Sequence, residues 1–507
     1  MSDSELVVYG ATAAGVCAAV AAARHGVQVT LVEPGRHIGG MVSGGLGYTD
    51  VGDPRVRGGL AREFASAVDD HYGVASGHYA GPEPHVAEAI FTEWLERNGV
   101  RVELGVGLAS VETANGVIVS IRGTDGRDRR AGVYVDAGYE GDLLALAGID
   151  YRVGREDRAL YGETLAGRRE PAPGKHNFPP YLSPFDDDGA LLPLIHDAPT
   201  VEVGAGDGGV MAYGYRVCLS SAPDRIPFAR REGYREEEWE LARRYFALLA
   251  GQGVEITAGK VIGLVPNLPN GKCDGNSLGP LSLNLLDGSN WGYPDADFAA
   301  RERIRQRHLS YTRDFLYFIS NDPAVPQTVR RGIADWGLPT DEFTDTGGLP
   351  HQLYVREARR MVGEYVLTEH DLLPEPAPKY DVVAMGSYHI DIREVRRTWR
   401  WVYEHPDPIA TVFNEGYLSA PVRPYPIPYR SIVPRYAQCA NLLVPVCLSA
   451  SHVAFSSVRM EVQYQMLGHV AGLAAVRALA GNRAVQRVDV VDLQERLAAE
   501  GQILDGG

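Results

Sequence analysis

The sequence predicts an α/β fold: a Rossmann-like dinucleotide-binding domain, built of a parallel sheet plus a β-meander, interrupted by a mixed α+β domain. Three observations predict it. The stretch LVVYGATAAGVCAAVAAARHGVQVTLVE opens the chain with strand, glycine turn, Ala-rich helix and second strand. Short alternating runs after residue 100 read as a meander whose last strand returns to the sheet. Near the C-terminus, after a loop-rich middle, an apolar strand and a long smooth-faced helix close the order.

In chain order, residues 6–9 form the first strand and Gly10 to Gly15 a tight turn. Residues 14–25 form a helix stopped by Gly26, and residues 27–32 a second buried strand. Gly10 allows the turn, Gly15 lets helix and sheet pack closely, and the helix start aims free N–H groups and a positive dipole end at a pyrophosphate. Thr12 stands where the middle glycine of the usual fingerprint would be, and its hydroxyl is read as a donor in place of that close approach. Glu33 ends the second strand, where an acid accepts hydrogen bonds from a ribose diol. The Gly39 and Gly40 doublet that follows lets the chain run beside a longer cofactor, which favours FAD over NAD. Helices are expected near residues 60–71 and 85–98, then a strand at 100–104 and meander runs at 108–112, 117–122 and 132–136. Residues 133–148 read as a strand, a turn at 138–141 and a helix capped by Asp142.

From about residue 151 to 429 prolines, Trp and Tyr crowd a loop-rich texture, the substrate or cap domain. Its clearest helix is residues 299–320, with Ile304, His308, Phe315 and Ile319 near one stripe. The expected organisation is an FAD-binding domain at 1–150, the substrate domain at 151–429, and the FAD-binding domain resumed at 430–507. In that last part a strand at 442–448, a polar turn and a helix at 458–479 are expected, with Gly468, Ala471, Gly472 and Ala475 making a face for close packing. The start of such a helix stabilises negative charge on a reduced flavin.

A net charge of -16 argues against a general nucleic-acid binder, and no window of about 18 apolar residues offers a membrane span. The opening MSDSE lacks the basic, apolar character of a signal peptide, so the expected location is cytoplasmic. Cys17, Cys218, Cys273, Cys439 and Cys447 are scattered without a CxxC, which disfavours a redox disulfide or zinc site and predicts buried thiols and no bound metal. Oligomeric state is left open. The Arg-, Ala- and Gly-rich usage is compatible with bacterial metabolism.

The chain resembles the broad family of FAD-dependent oxidoreductases, which share the nucleotide-binding topology of glutathione reductase and p-hydroxybenzoate hydroxylase. The likeness runs through the Gly10 to Gly15 turn, RHIGGMVSGGLGYTD, DAGYEGDLLALAG, LPNGKCDGN, LYVREARRMVGEYVLTEHD, GSYHIDIREVRR, PYPIPYRSIVP and LSASHVAFSSVRMEVQYQMLGHVAGLAA. Family members commonly carry Thr or Ser where Thr12 stands, often Thr where Gly138 stands, and Glu-Pro where Glu461 and Val462 stand. The resemblance implies that Ala13, Ala14, Glu33, Gly39, Gly40, Met41 and Ser43 line the ADP and ribityl portions of FAD. It further implies that Val106 meets the adenine, Ala137 and Asp142 close the second phosphate side, and Arg459 and Met460 begin the helix under the flavin ring.

Flavin oxidations need a base for the substrate proton, and two histidines qualify. His452 lies in the turn before the flavin-facing helix, where it acts as base or only holds the cofactor. His389 is followed by Asp391, which can orient an imidazole, although a role in holding the domain interface competes. Arg356, Arg359, Arg360, Arg393, Arg396, Arg397 and Arg430 offer clamps for a substrate carboxylate or phosphate, while most are expected to pair with acids such as Glu357 and Glu394. Tyr388, Tyr425 and Trp291 wall a pocket or pack a core. With one fingerprint and no CxxC, the expected activity is an oxidase or dehydrogenase acting on an alcohol, amine or C–C unit of a small polar metabolite. Oxygen or an unidentified acceptor takes the electrons. An FAD-dependent monooxygenase is the alternative on the same scaffold, and a non-redox carbohydrate-binding or lyase protein the alternative of another class.

Overall fold

The computed structural model describes residues 4–74, 81–172, 174–373, 376–403 and 406–506, which leaves the first three residues of MSDSE outside it. It begins with strand β1 (Leu6–Tyr9), helix α1 (Ala13–Arg24) and strand β2 (Val29–Glu33). Then come α2 (Gly59–Tyr72), α3 (Pro84–Arg97) and β3 (Arg101–Leu104). Strands β4 (Leu108–Ala114), β5 (Val117–Gly123) and β6 (Asp128–Arg129) form an antiparallel meander, turned between β4 and β5 at Asn115 and Gly116, both at positive φ. With β6 as the third meander strand, the run expected at 132–136 returns to the sheet, as expected, as β7 (Val133–Asp136), which pairs in parallel with β1. All four of its residues are buried, which suits the centre of a covered sheet and not a meander open to water.

The turn after β7 leads to α4 (Asp142–Leu146). Asp142 is inside this helix, not its cap; Gly141, at φ 67, is the N-cap, and Asp142 turns its carboxylate to Arg301 and Arg359. In the middle of the chain the expected helix is α5 (Phe298–Asn321), started by the Asp297 carboxylate accepting the Ala300 N–H at 2.7 Å. Phe315 and Ile319 of its stripe are buried in a second core centred on Trp239, whose ring stacks on Tyr311 and Phe318, and His308, also buried, lies beside the Tyr213 ring. Strands β8 (Val382–Gly386) and β9 (Tyr425–Pro428) pair antiparallel.

The C-terminal block departs from expectation in two ways. Only β10 (Leu442–Leu443) of the expected 442–448 strand pairs with β7, because Val444 turns its N–H to the Ile432 carbonyl. The expected polar turn holds a helix, α6 (His452–Val458), nucleated where Ser451 Oγ accepts the Ala454 N–H at 3.1 Å. After a break at Arg459 and Met460 comes α7 (Glu461–Ala480).

The main sheet is ordered β10-β7-β1-β2-β3, parallel throughout. Strand order reverses at β1, so a crevice opens beyond the carboxyl ends of β1 and β7, the usual ligand position in such sheets. Helices α1 and α7 lie against each other at glycine-sized clearance. A side chain on Gly468 would come within 2.8 Å of the Ala14 Cα and carbonyl carbon, and one on Gly472 within 2.7 Å of the Ala21 Cβ. All five cysteines are buried and unpaired. Among the described residues no helix is long and apolar enough to cross a membrane.

Candidate functional site

Two glycine turns face each other across the crevice. A side chain on Gly10 would meet the Gly138 nitrogen at 2.7 Å, so the turns after β1 and β7 touch backbone to backbone. Gly10, at φ 96, holds a conformation that favours glycine. The Thr12 hydroxyl is committed within the protein: it donates to the Ala137 carbonyl at 2.7 Å and accepts the Gly15 N–H at 3.2 Å. It therefore ties the two turns together and caps α1, and the N–H groups just before Gly15 are those that a helix start leaves without intrahelical partners. Gly40 packs over this point, where a side chain would strike Tyr139 Oη at 2.5 Å.

A cavity of about 570 Å³ opens here. Its floor is Tyr9, Gly10, Thr12, Glu33, Gly40, Gly138 and Asp142; its roof is Tyr293, Arg301 and Arg305 from the middle of the chain, with His351 and Gln352. Ala13, Ala14, Gly15, Gly39, Met41, Ser43, Val106, Ala137, Arg459 and Met460 do not line it. Ala137 packs under Gly15, Ser43 Oγ donates to the Ile38 carbonyl at 2.5 Å, and the Val106 N–H donates to the Glu33 carbonyl. The Glu33 carboxylate accepts the Ala11 and Gly35 N–H groups, each at 2.6 Å. Burial outweighs those two bonds and pushes it up to about 7.

A second set of groups gathers where α6 gives way to α7. Tyr139 Oη accepts the Met41 N–H at 2.9 Å and donates to Glu461 Oε1 at 2.7 Å. Burial pushes Glu461 up to about 8 against that bond, so it is mostly protonated at neutral pH. His452, buried at the first position of α6, has Nδ1 at 2.8 Å from Glu357 Oε1, and its own N–H donates to Glu156 at 2.8 Å. Burial disfavours the Glu357 charge, yet His452 and Arg360 beside it hold the carboxyl below its ordinary value. His389 is half-buried against the Tyr388 ring, and Asp391 does not orient it: that carboxylate pairs with Arg459 at 3.0 Å. The two histidines flank opposite ends of α6, since Ser457 donates to the Tyr388 carbonyl.

Among the described residues, buried polar atoms without a partner include Tyr9 Oη and both His351 ring nitrogens in the cavity. Others are His452 Nε2, Arg459 Nε, Glu461 Oε2 and both polar atoms of Gln463 at the α6–α7 break. Buried polar atoms in interiors are usually paired, so those in the cavity and at the α6–α7 break are free to bond a polar ligand. The residues fit FAD: a glycine cradle and helix start at one end, and unpaired polar side chains at the α7 start.

Five of the seven expected arginine clamps are ion-paired. Arg359 holds Asp142, Arg360 holds Glu156 and Glu357, Arg393 holds Glu394, Arg396 holds Glu415, and Arg430 holds Asp381. Tyr425 bonds Ser457 at 2.7 Å, and the Trp291 ring carries Arg396, so both pack. Glu83, His85 and Glu342 lie close enough to share a cation, but Lys272 Nζ already sits 2.6 Å from Glu83 and 2.8 Å from Glu342. The sequence reading missed Tyr139, Arg305 and His351. The first stands within the quoted DAGYEGD block, whereas the others come from segments with no motif.

A family model described as FAD dependent oxidoreductase matches residues 5–497. No curated protein matches the chain. Among solved structures, AlpK is similar at 25% identity over 31% of this chain and 36% of that one, with a TM-score of 0.21. L-proline dehydrogenase from P. horikoshii is similar at 18% over 31% and 58%, with a TM-score of 0.25. L-amino acid deaminase from Proteus vulgaris is similar at 14% over 31% and 53%, with a TM-score of 0.24. The chain thus spans less than two thirds of each of these proteins.

Proposed function

This chain belongs to the FAD dependent oxidoreductase family, and on that premise we propose that it removes a hydride from an alcohol, amine or C–C unit of a small polar metabolite. Its cofactor is FAD, which when bound supplies a two-electron acceptor. Everything else in the reaction falls to the protein. The α1 start and the Gly10, Thr12 and Gly138 turns hold the dinucleotide end, with Arg301 and Arg305 above them. Met41, Tyr139 and Glu461 form one hydrogen-bonded chain to the start of α7, and neutral Glu461 keeps Oε2 free to donate there.

His452 carries the reading. A carboxylate at Nδ1 keeps the ring proton on that nitrogen and leaves the lone pair on Nε2, which is buried and has no partner. Nε2 takes the substrate O–H or N–H proton as hydride leaves, and Glu357 stabilises the resulting imidazolium. His389, without an orienting carboxylate, is the second candidate for the proton. Oxygen or another acceptor reoxidises the protein, and the five unpaired thiols support a cytoplasmic setting.

The test is anaerobic reduction followed at the flavin absorbance. His452→Ala should keep bound FAD and reduce about 100-fold or more slowly, the usual contribution of a positioned base. Parent rates in both His452→Ala and His389→Ala exclude these two residues as the base. Label from ¹⁸O₂ in the product would replace dehydrogenation by monooxygenation, the alternative reading.

A further inference from the structure

Beside the loop that follows Gly39 and Gly40 lie four arginines, and one of them differs from the rest. Arg216 pairs with Asp274, Arg393 with Glu394 and Arg459 with Asp391. Arg356 is 4% exposed and has no acidic partner among the described residues. One guanidinium nitrogen donates to the Ala212 carbonyl, and the group lies over the Tyr354 ring, 4.3 Å from its centroid. Arg397, also buried without an acid, makes a useful contrast: Asn414 Oδ1 and the carbonyls of Leu194 and Pro280 accept from all its nitrogens. Arg356 has a single acceptor. Burial, then repulsion from Arg393, Arg459 and Arg216, outweigh the attraction of the Tyr354 oxygen and lower its guanidinium to about 9. An unpaired buried charge costs several kcal/mol unless something neutralises it.

We propose that Arg356 is the clamp for a carboxylate on the substrate, with the Tyr354 ring as its floor. This rests on the hydride-transfer reading above and names the substrate class for that same site. Placement supports it. The Tyr354 hydroxyl accepts from Arg459 at 3.0 Å, and Arg459 ends α6 immediately before the α7 cap, Met460. A side chain on Gly45 would run into the Arg216 carbonyl, so the loop after the doublet reaches the same cluster. Gly468, which packs on Ala14 at the start of α1, is two turns along α7 from Glu461, about 10 Å of helix. The cluster is thus separate from the dinucleotide-phosphate end, and its charge is not needed there. Charge count limits the ligand: three of the four guanidinium groups already have a carboxylate, and the exposed Asp50 carboxylate acts on Arg216 as well, so the positive charge left over suits at most a monoanion and not a phosphate dianion. The planar fork of arginine matches a carboxylate.

The test is calorimetric titration of the FAD-loaded protein with acetate, glycolate, acetamide and inorganic phosphate. Acetate or glycolate should bind saturably, acetamide should not bind, and phosphate should bind about tenfold more weakly or worse. Arg356→Gln should weaken carboxylate binding about 30-fold or more with FAD content retained, and Arg356→Lys should fall between. Because the comparison of acetate with acetamide needs only the parent protein, a poorly folding variant does not blunt the test. No saturable carboxylate binding, phosphate binding as tight as acetate, or equal affinity in parent and Arg356→Gln each overturns the clamp. None of these touches the hydride-transfer reading, which is judged by flavin reduction.

Discussion

Replacing Gly468 by alanine adds one methyl group at the tightest point between α1 and α7. That carbon would lie 2.8 Å from the Cα and the carbonyl carbon of Ala14, closer still to the carbonyl oxygen, and all of these are backbone atoms that cannot rotate away. Ordinary contact begins near 3.4 Å, so the two helices must separate by roughly 0.6 Å or more along their contact. Overpacking of this kind costs about 1–3 kcal/mol, and a clash with backbone belongs at the upper end. For a domain of ordinary size that is a fall in melting temperature of roughly 5–10 °C. The displaced element is the helix whose start the cofactor cradle uses, since Ala14 follows Ala13 at the head of α1. Melting of the purified protein and its FAD content per chain should therefore fall together. Gly251→Ala is the control: it ends a helix, keeps negative φ and has nothing within 4 Å, so it should melt within about 1 °C of the parent or slightly above. A Gly468→Ala protein with the parent's melting temperature and full FAD would refute the close-packing argument.

The buried Glu461 makes stability depend on pH. Its folded value, about 8, lies above the ordinary carboxylate value, so the folded protein holds a proton the unfolded chain has lost. Stability should fall as pH rises from about 4.5 to 8, and Glu461→Gln should make that fall shallower, gaining a few kcal/mol relative to the parent at pH 8, while Glu33 and Asp136, both pushed up to about 7, keep a smaller slope. Urea titrations at pH 5 and 8 measure it, and parallel slopes in parent and variant would contradict it. Ser451→Ala removes both the cap of α6 and a bond to Glu163, and should cost about 1–2 kcal/mol in the same titrations. A thiol reagent should find no reactive cysteine in the folded protein and five after denaturation. Rapid reaction of any thiol before unfolding would count against their burial.

The structure of residues 4–40 was legible in the sequence, because most of the signals there are local. A glycine that must take positive φ and an apolar run at each strand act within a few residues of themselves, whereas Thr12, read as a donor, is spent on the Ala137 carbonyl and the α1 cap, and Glu33 accepts the Ala11 N–H. Cofactor class followed from that local grammar, as did the smooth face of α7, since a need for small residues is written into the residues themselves. Where the sequence reading slipped, the deciding contact came from far along the chain. Residues 449–457 look like a polar turn, yet their serines are satisfied inside the protein, Ser451 by Glu163 and Ser457 by the Tyr388 carbonyl, and the segment is free to be a buried helix. Asp391 stands two residues from His389, but the tertiary fold gives it to Arg459. Glu357 looked like an ordinary partner for arginine, and it became the carboxylate that orients His452. The seven arginines of the expected clamp were indistinguishable in sequence, because charge alone does not say which acids will come within reach. Only the packed chain could pair five of them, satisfy Arg397 with carbonyls, and leave Arg356 alone.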